Sequence, residues 1–109
     1  MKDLTSEDLA LHEWQLDVPH FGKSGQQKLK NSTALISRAG GIGGALAMQL
    51  AAAGFGKIIL AHAGDLKPSD LNRQILMKYE GLGQLRVKQA QETLKRFKPH
   101  LDIETVNEN

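Results

Sequence analysis

Three short segments, separated by helical patterns, predict the β-strands of this chain: the first two are apolar runs, and in the third apolar and polar residues alternate imperfectly. They are residues 34–37, 57–61 and 101–106. Between the first two lies residues 45–53 (ALAMQLAAA), an apolar run that is typical of a helix covered on most faces. Between the last two, residues 84–98 carry an apolar stripe on an otherwise polar helix, which Pro99 ends.

The order of these elements predicts the fold. A strand, a glycine-rich turn, a helix and a second strand form a βαβ unit, and such units cross over right-handed into parallel sheets. A further helix and strand extend it to an α/β fold, a Rossmann-like parallel βαβαβ half-sheet. In the usual order the first strand lies at an open edge, which is a liability when unpaired. We therefore expect the N-terminal portion of a larger doubly wound domain, or a partner that covers this edge.

The first 31 residues follow a different pattern. Thr5 with Asp8 three positions later is typical of a helix start, and a short basic helix is expected at residues 26–30. The apolar residues here have no clean period, so this segment has no core of its own and must dock elsewhere. We expect an N-terminal helical segment at residues 1–31 and an incomplete nucleotide-binding domain at residues 32–109.

Composition and charge exclude several classes of function for this chain. The chain has 109 residues, a formal net charge of +2 and no cysteine. The positive surplus is too small and too dispersed for a nucleic-acid footprint, and a thiol nucleophile or cysteine-ligated metal is excluded within this chain. The four histidines have no metal-ligand spacing, so no metal site is predicted. No apolar run is long enough for a membrane span and no secretory signal is visible, which favours the cytoplasm.

The glycine cluster after the first strand carries the candidate chemistry. Glycines let the backbone approach a phosphate closely, and the following helix presents free N–H groups to the anion. A tight strand–helix connection without a ligand is the alternative. The dinucleotide fingerprint fits only in part, because its first glycine falls on Arg38 while Gly40 and Gly43 match. The ribose-binding acid expected after the second strand is replaced by His62, which counts against a conventional NAD oxidoreductase.

Five linked motifs follow one another along the chain: residues 19–22 (PHFG), 25–31 (GQQKLKN), 39–43 (AGGIG), 51–56 (AAAGFG) and 69–74 (SDLNRQ). In order and spacing they resemble the ThiF/MoeB/HesA family, relatives of the ubiquitin-activating enzymes. The similarity covers nearly all of the chain from Trp14 onward. Within the family, residues 60–64 (LAHAG) and 67–74 (KPSDLNRQ) look most like the HesA branch, which is associated with nitrogen-fixing bacteria.

The resemblance implies an ATP-dependent adenylyltransferase. Family members use ATP and Mg²⁺ to adenylate the C-terminal glycine carboxylate of a small ubiquitin-like sulfur-carrier protein, with release of pyrophosphate. The site must then stabilise charge on the phosphates as pyrophosphate leaves. The magnesium-binding aspartate, the zinc cysteines and any sulfur-handling cysteine of the family would lie beyond Asn109.

Carried over by position, the family's site residues are matched unevenly. Gly41 and Gly43 match the nucleotide-binding turn, and Arg73 matches the arginine that contacts the phosphates. Asp70 stands where the family usually has asparagine, and Arg86 where it has a catalytic lysine. The other departures place His62 at the ribose-binding aspartate, Gly64 at a second acid and Trp14 at an arginine that reaches a neighbouring subunit. The implied catalytic residues are Arg73 and Arg86, and the implied nucleotide contacts are Gly41, Gly43, His62, Asp70, Arg73 and Arg86.

Three hypotheses follow. The first is an adenylating enzyme of this family, and the second is a nucleotide- or partner-binding relative that has lost catalysis. The third, an NAD-binding oxidoreductase, is disfavoured by the missing acid. Arg73 and Arg86 also have ordinary interpretations as solvated helix charges, and Trp14 as a packing contact. An N-terminal segment without a core and an open sheet edge further predict a homodimer, formed through the Trp14 segment or that edge.

Overall fold

The computed structural model describes residues 1–109 and has eight regular elements. Two short 3-10 helices, Pro68–Asp70 and Tyr79–Gly81, interrupt the long connection after the second strand. In chain order the elements are α1 (Ser6–Leu11), α2 (Glu13–Leu16), α3 (Gly22–Lys30), β1 (Thr33–Ser37), α4 (Gly41–Ala53), β2 (Lys57–Ala61), α5 (Arg86–Phe97) and β3 (Asp102–Val106).

The three strands form one parallel sheet in the order β1-β2-β3. Ile36 pairs with Leu60, and Ile58 pairs with Ile103, so the buried side chains form rows across one face. The predicted Rossmann-like βαβαβ half-sheet is therefore confirmed. All three strands lie within one residue of their predicted bounds.

The core lies between one face of the sheet and the helices α4 and α5. Ala47 and Ala51 of α4 and Ala90 and Leu94 of α5 are buried against it. The small side chains of α4 bring that helix close to the strands. On the opposite face Leu35 is 66% exposed, so this chain covers one side of its sheet.

Helix α4 begins four residues earlier than the apolar pattern predicts, at Gly41 rather than Ala45. Glycine disfavours helix because it loses more backbone freedom than other residues, so the local sequence hides this first turn. Tertiary packing overrides that preference at Gly43, where a Cβ atom would collide with the carbonyl oxygen of Arg38. The glycine run is thus part of the helix as well as part of the turn.

The N-terminal segment docks on the C-terminal end of α4. The predicted start of α1 is confirmed, since Thr5 and Asp8 form a reciprocal capping box. The basic helix is longer than predicted and starts at Gly22. Gln26 of that helix is 1% exposed and donates a hydrogen bond of 2.9 Å to the carbonyl oxygen of Ala53. None of the chain's helices has the length and apolar character that crossing a membrane requires.

Candidate functional site

A cleft of about 770 Å³ opens at the carboxyl end of β1. In open parallel sheets ligands bind at this end of the strands. Its walls come from β1, the glycine turn and first turns of α4, the residue after β2, and the loop that follows Pro68–Asp70. The lining residues are Leu35, Ile36, Ser37, Arg38, Gly40, Gly41, Ile42, Gly43, Leu46, His62, Arg73 and Gln74.

The N-terminus of α4 faces this cleft without a protein cap. Its N-cap is Gly40, which has no side chain to accept a hydrogen bond from the first turn. The first N–H groups of a helix carry partial positive charge and favour an anion. The absence of a carboxylate or hydroxyl cap at Gly40 leaves these donors available to a bound molecule.

Two buried polar atoms in the cleft have no partner. His62 is 4% exposed and Gln74 is 5% exposed, yet His62 Nδ1 and Gln74 Oε1 make no hydrogen bond. Buried polar atoms are paired in the great majority of cases, and an unpaired one is destabilising by about 1–3 kcal/mol. Both residues line the cleft, so a ligand there would supply the missing partners.

His62 is held neutral by its surroundings. Burial lowers the pKa of its imidazole below the ordinary value, and the positive charges of Arg86 and Arg38 lower it further. At neutral pH the ring therefore offers one donor and one acceptor nitrogen. A neutral ring of this kind suits hydrogen bonding to a ribose hydroxyl or a base, rather than charge pairing with phosphate.

Asp70 and Arg86 form a buried ion pair beside the cleft. The guanidinium places Nε at 2.9 Å and Nη2 at 2.8 Å from Asp70 Oδ2, while Nη1 donates to the carbonyl oxygen of Ala63 at 3.1 Å. The two side chains are 7% and 15% exposed, respectively. Neither residue lines the cleft, and every nitrogen of this guanidinium already donates a bond within the chain.

The same carboxylate holds the cleft residue Gln74. Asp70 Oδ1 accepts from Gln74 Nε2 at 3.0 Å, and Oδ2 also accepts from the N–H of Lys67 at 2.9 Å. Burial alone would raise the pKa of the Asp70 carboxyl, but the Lys67 N–H and the Arg86 guanidinium outweigh it, so the pKa lies below its ordinary value. Asp70 is thus ionised and fixes the orientation of the Gln74 amide.

Arg73 is an exposed cation in the loop of residues 69–74, which forms one wall of the cleft. Its Nη1 donates to the carbonyl oxygen of Ser69 at 3.2 Å and to Asn72 Oδ1 at 3.0 Å. Its aliphatic part packs over Gly41, where a Cβ would lie 3.2 Å from Arg73 Cγ. No carboxylate forms a salt bridge with this guanidinium, so it can still contact an anion at the start of α4.

The structure brings together part of the site that the sequence predicts. Gly41, Gly43, His62 and Arg73 line one cleft, whereas Asp70 and Arg86 lie behind its wall as an ion pair. The lining residues Gln74 and Arg38 were not among the predicted site residues. Gln74 follows Arg73 directly in the motif that carries the resemblance, and that position was the available signal.

A second cleft, of about 540 Å³, lies between the N-terminal segment and the other end of the sheet. Charges of both signs line it, and two of them, Lys30 and Asp8, pair with each other at 2.6 Å. None of its lining residues has an unpartnered buried polar atom. The cleft at the carboxyl end of β1 is therefore the better candidate site.

The candidate cleft lacks the donors that a metal ion needs. None of its lining side chains is a carboxylate. No group of three or more His, Asp or Glu side chains in the chain is arranged to hold a metal ion. A Mg²⁺ ion prefers carboxylate and phosphate oxygens, so the residues present do not fit it.

Comparison with known proteins identifies the family. A HesA protein from Leptolyngbya boryana is 43% identical over 106 residues, which is 97% of this chain and 38% of that protein. An adenylyltransferase and sulfurtransferase MOCS3 from Drosophila sechellia is 40% identical over 100 residues, 92% of this chain and 22% of that protein. The crystal structure of E. coli MccB with ATP superimposes with a TM-score of 0.74 at 28% identity, covering 77% of this chain and 25% of that one.

The chain thus spans well under half the length of these relatives. The ThiF family matches residues 12–109, nearly all of the chain and the whole of the sheet. This match agrees with the parallel βαβαβ fold and with a cleft beside the glycine turn. The chain therefore belongs to the ThiF family.

Proposed function

We propose that the cleft binds ATP and that the complete protein is an ATP-dependent adenylyltransferase. One observation carries this proposal: the uncapped start of α4, the guanidinium of Arg73 and two unpartnered buried polar atoms face the same cleft. Such a site offers separate partners to the charged and the neutral part of a nucleotide. The MOCS3 relative is named an adenylyltransferase, and the MccB structure contains ATP.

Each group has a role in this proposal. The N–H groups at the start of α4 donate hydrogen bonds to the phosphates, and Gly41 and Gly43 let the phosphates come close to the backbone. Arg73 stabilises negative charge on the phosphates, a task suited to a permanently charged planar fork. His62 and Gln74 hydrogen-bond the nucleoside. Asp70 and Arg86 act through position, since their ion pair holds the Gln74 amide and the Ala63 carbonyl.

The proposed substrate is the C-terminal carboxylate of a small ubiquitin-like sulfur-carrier protein. A carboxylate oxygen attacks the α-phosphorus of ATP, the bond from that phosphorus to the bridging oxygen breaks, and pyrophosphate leaves. The product is an acyl-adenylate. Arg73 would stabilise the charge on the departing pyrophosphate.

We also propose that the protein acts in the cytoplasm as a homodimer. Leu11 of α1, Trp14 of α2 and Val18, which follows α2, are 54%, 84% and 51% exposed. Several large exposed apolar side chains within one short segment are typical of an interaction surface. Sedimentation of the complete protein and of its Trp14→Ser variant at micromolar concentration tests this, and a monomeric parent would contradict it.

The first test of the nucleotide site is the contribution of Arg73 to ATP affinity. A charge-assisted contact is worth about 1.5–3 kcal/mol, so Arg73→Ala should weaken ATP binding roughly ten- to a hundredfold. Calorimetric titration of the complete protein measures this, with Arg96→Ala as the matched control, because Arg96 is exposed on α5 and away from the cleft. Equal ATP affinity in Arg73→Ala would remove Arg73 from the site, and tighter NAD than ATP binding would overturn the proposal.

A relative that binds ATP without catalysis is the second candidate. The observation that favours it is the Asp70–Arg86 pair, because the arginine at the family's catalytic lysine position has each of its three guanidinium nitrogens bonded within the chain. Exchange of labelled pyrophosphate into ATP in the presence of a carrier protein distinguishes the two. Exchange above background supports adenylation, whereas ATP binding without exchange by any ubiquitin-like carrier of the same genome supports the second candidate.

A further inference from the structure

The glycine turn contains one residue in a backbone conformation that disfavours its side chain. Arg38 has a φ of +69°, in the left-handed region. The neighbouring glycines, at positions 40, 41, 43 and 44, all lie outside that region. The turn therefore uses arginine at its one left-handed position, where glycine would be free of strain.

The side chain of Arg38 has no structural role that accounts for this placement. It is exposed, and the four ion pairs of the chain involve other residues. Arg38 lines the same cleft as Arg73 and the start of α4. Strained backbone conformations persist preferentially at functional sites, so the location of this one is informative.

Arg38 also changes the charge of the cleft. It adds a second unpaired guanidinium to a cavity that has no acidic side chain in its lining. Two permanent cations and a helix N-terminus in one cleft favour a ligand with several negative charges over one with a single charge. The buried unpartnered atoms of His62 and Gln74 show independently that this cleft is built to hold a ligand.

We propose that Arg38 is a ligand-contacting residue that binds the polyphosphate tail and makes affinity rise with the number of phosphates. This inference rests on the proposed nucleotide site and deepens it, because it assigns the preference for a triphosphate to the residue that stands at the first glycine position of the fingerprint. The strain at Arg38 is then retained because glycine at this position would remove the contact.

The test uses Arg38→Gly in the complete protein, where stability and binding should move in opposite directions. Relief of the left-handed strain should raise the melting temperature by about 2–4 °C. Loss of the contact should weaken ATP binding about tenfold and leave adenosine binding within about twofold. Arg38→Lys should recover part of the ATP affinity, and Arg96→Ala should leave it unchanged, since it removes one charge outside the cleft.

The outcomes separate this inference from the proposed function. If the parent and Arg38→Gly bind ATP equally, the inference is overturned and the nucleotide site stands. If the parent binds pyrophosphate in an Arg38-dependent manner but not ATP, the anion contact stands and the ATP proposal falls. If the parent binds neither probe, both are overturned. A tenfold loss for adenosine as well as ATP would contradict a contact limited to the phosphates.

Discussion

The two ends of helix α4 differ in whether the protein itself hydrogen-bonds the backbone groups that a helix leaves unpaired. At the C-terminal end, Gln15 and Gln26 each donate a 2.9 Å hydrogen bond to the carbonyl oxygen of Ala53, and Gly54 in the left-handed region ends the helix. At the N-terminal end, Gly40 offers no cap. One helix is therefore completed by protein at one end and left open at the other.

The buried polar side chains near the two ends differ in the same way. Gln26, at the closed end, both donates to Ala53 and accepts from Gln15 Nε2 at 2.9 Å. Gln74, at the open end, uses its amide nitrogen on Asp70 and leaves Oε1 unpaired. The closed end is a docking site for the N-terminal segment, whereas the open end keeps unsatisfied groups that a ligand can pair. The difference predicts that variants at the two ends separate stability from binding.

The largest expected effect is on stability and comes from the closed end. Gly54→Ala places a Cβ at a φ of +109° and against Gln26 Nε2. The backbone strain and the loss of the glutamine contacts should lower the free energy of unfolding by about 3–4 kcal/mol. Urea denaturation of the complete protein measures this. ATP affinity of the folded fraction should be unchanged, because Gly54 lies at the far end of α4 from the cleft.

A matched control for Gly54→Ala is Gly83→Ala. Gly83 also has a positive φ, +85°, but a Cβ there meets nothing within 4 Å. It should therefore show the backbone strain alone, about 1–2 kcal/mol. Equal losses in the two variants would show that the glutamine network at the end of α4 adds nothing to stability.

The next effect concerns the ion pair that supports the open end. Asp70→Asn removes the negative charge that pairs with Arg86 and accepts a hydrogen bond from the Gln74 amide. The Arg86 side chain, only 15% exposed, then has no counter-ion. Breaking a buried pair in this way should lower the free energy of unfolding by about 3 kcal/mol. Glu104→Gln is the control, because its pair with Lys57 spans 3.3 Å between exposed side chains and should contribute under about 1 kcal/mol.

The same variant has a predictable pH dependence. The pKa of Asp70 is lower in the folded chain than in the unfolded one, where it is about 4. Its contribution to stability is therefore complete above about pH 4 and is lost as the pH falls through the folded value. Asp70→Asn should be less sensitive to acid in that range than the parent. Parallel acid-denaturation curves for the two proteins would contradict the assignment.

The smallest expected effects on stability come from the same substitution, glutamine to leucine, made at both ends of α4. Gln26→Leu deletes a glutamine whose amide oxygen and nitrogen are both paired, and it should lower the free energy of unfolding by about 2 kcal/mol. Gln74→Leu deletes one bond but also an unpaired atom, and should lower it by about 1 kcal/mol or less. Denaturation and adenosine titration of both variants check this, with binding weakened in Gln74→Leu alone. A larger stability loss in Gln74→Leu would reverse the comparison.

Much of the fold can be predicted from the sequence because its signals are local. Two strands are short apolar runs and the third alternates apolar and polar residues, and Thr5 with Asp8 forms the cap that its spacing predicts. The strand–glycine–helix order fixes a parallel sheet through the handedness of the crossover. The glycines also locate the cleft, because a turn between β1 and α4 must open at the carboxyl end of the sheet.

The arrangement of the site depended on contacts between distant residues. Asp70 and Arg86 read as two separate departures from a family pattern, and only the fold joins them, across 16 positions, into one buried ion pair. The hydrogen bond to Asp70 orients the Gln74 amide in the wall of the cleft. The left-handed φ of Arg38 cannot be inferred from its residue type. The sequence by itself determined the elements and their order, since these follow from local periodicity and chain stiffness. Tertiary structure alone decided which polar groups were paired and which were left for a ligand, because pairing depends on distances between segments that lie far apart along the chain.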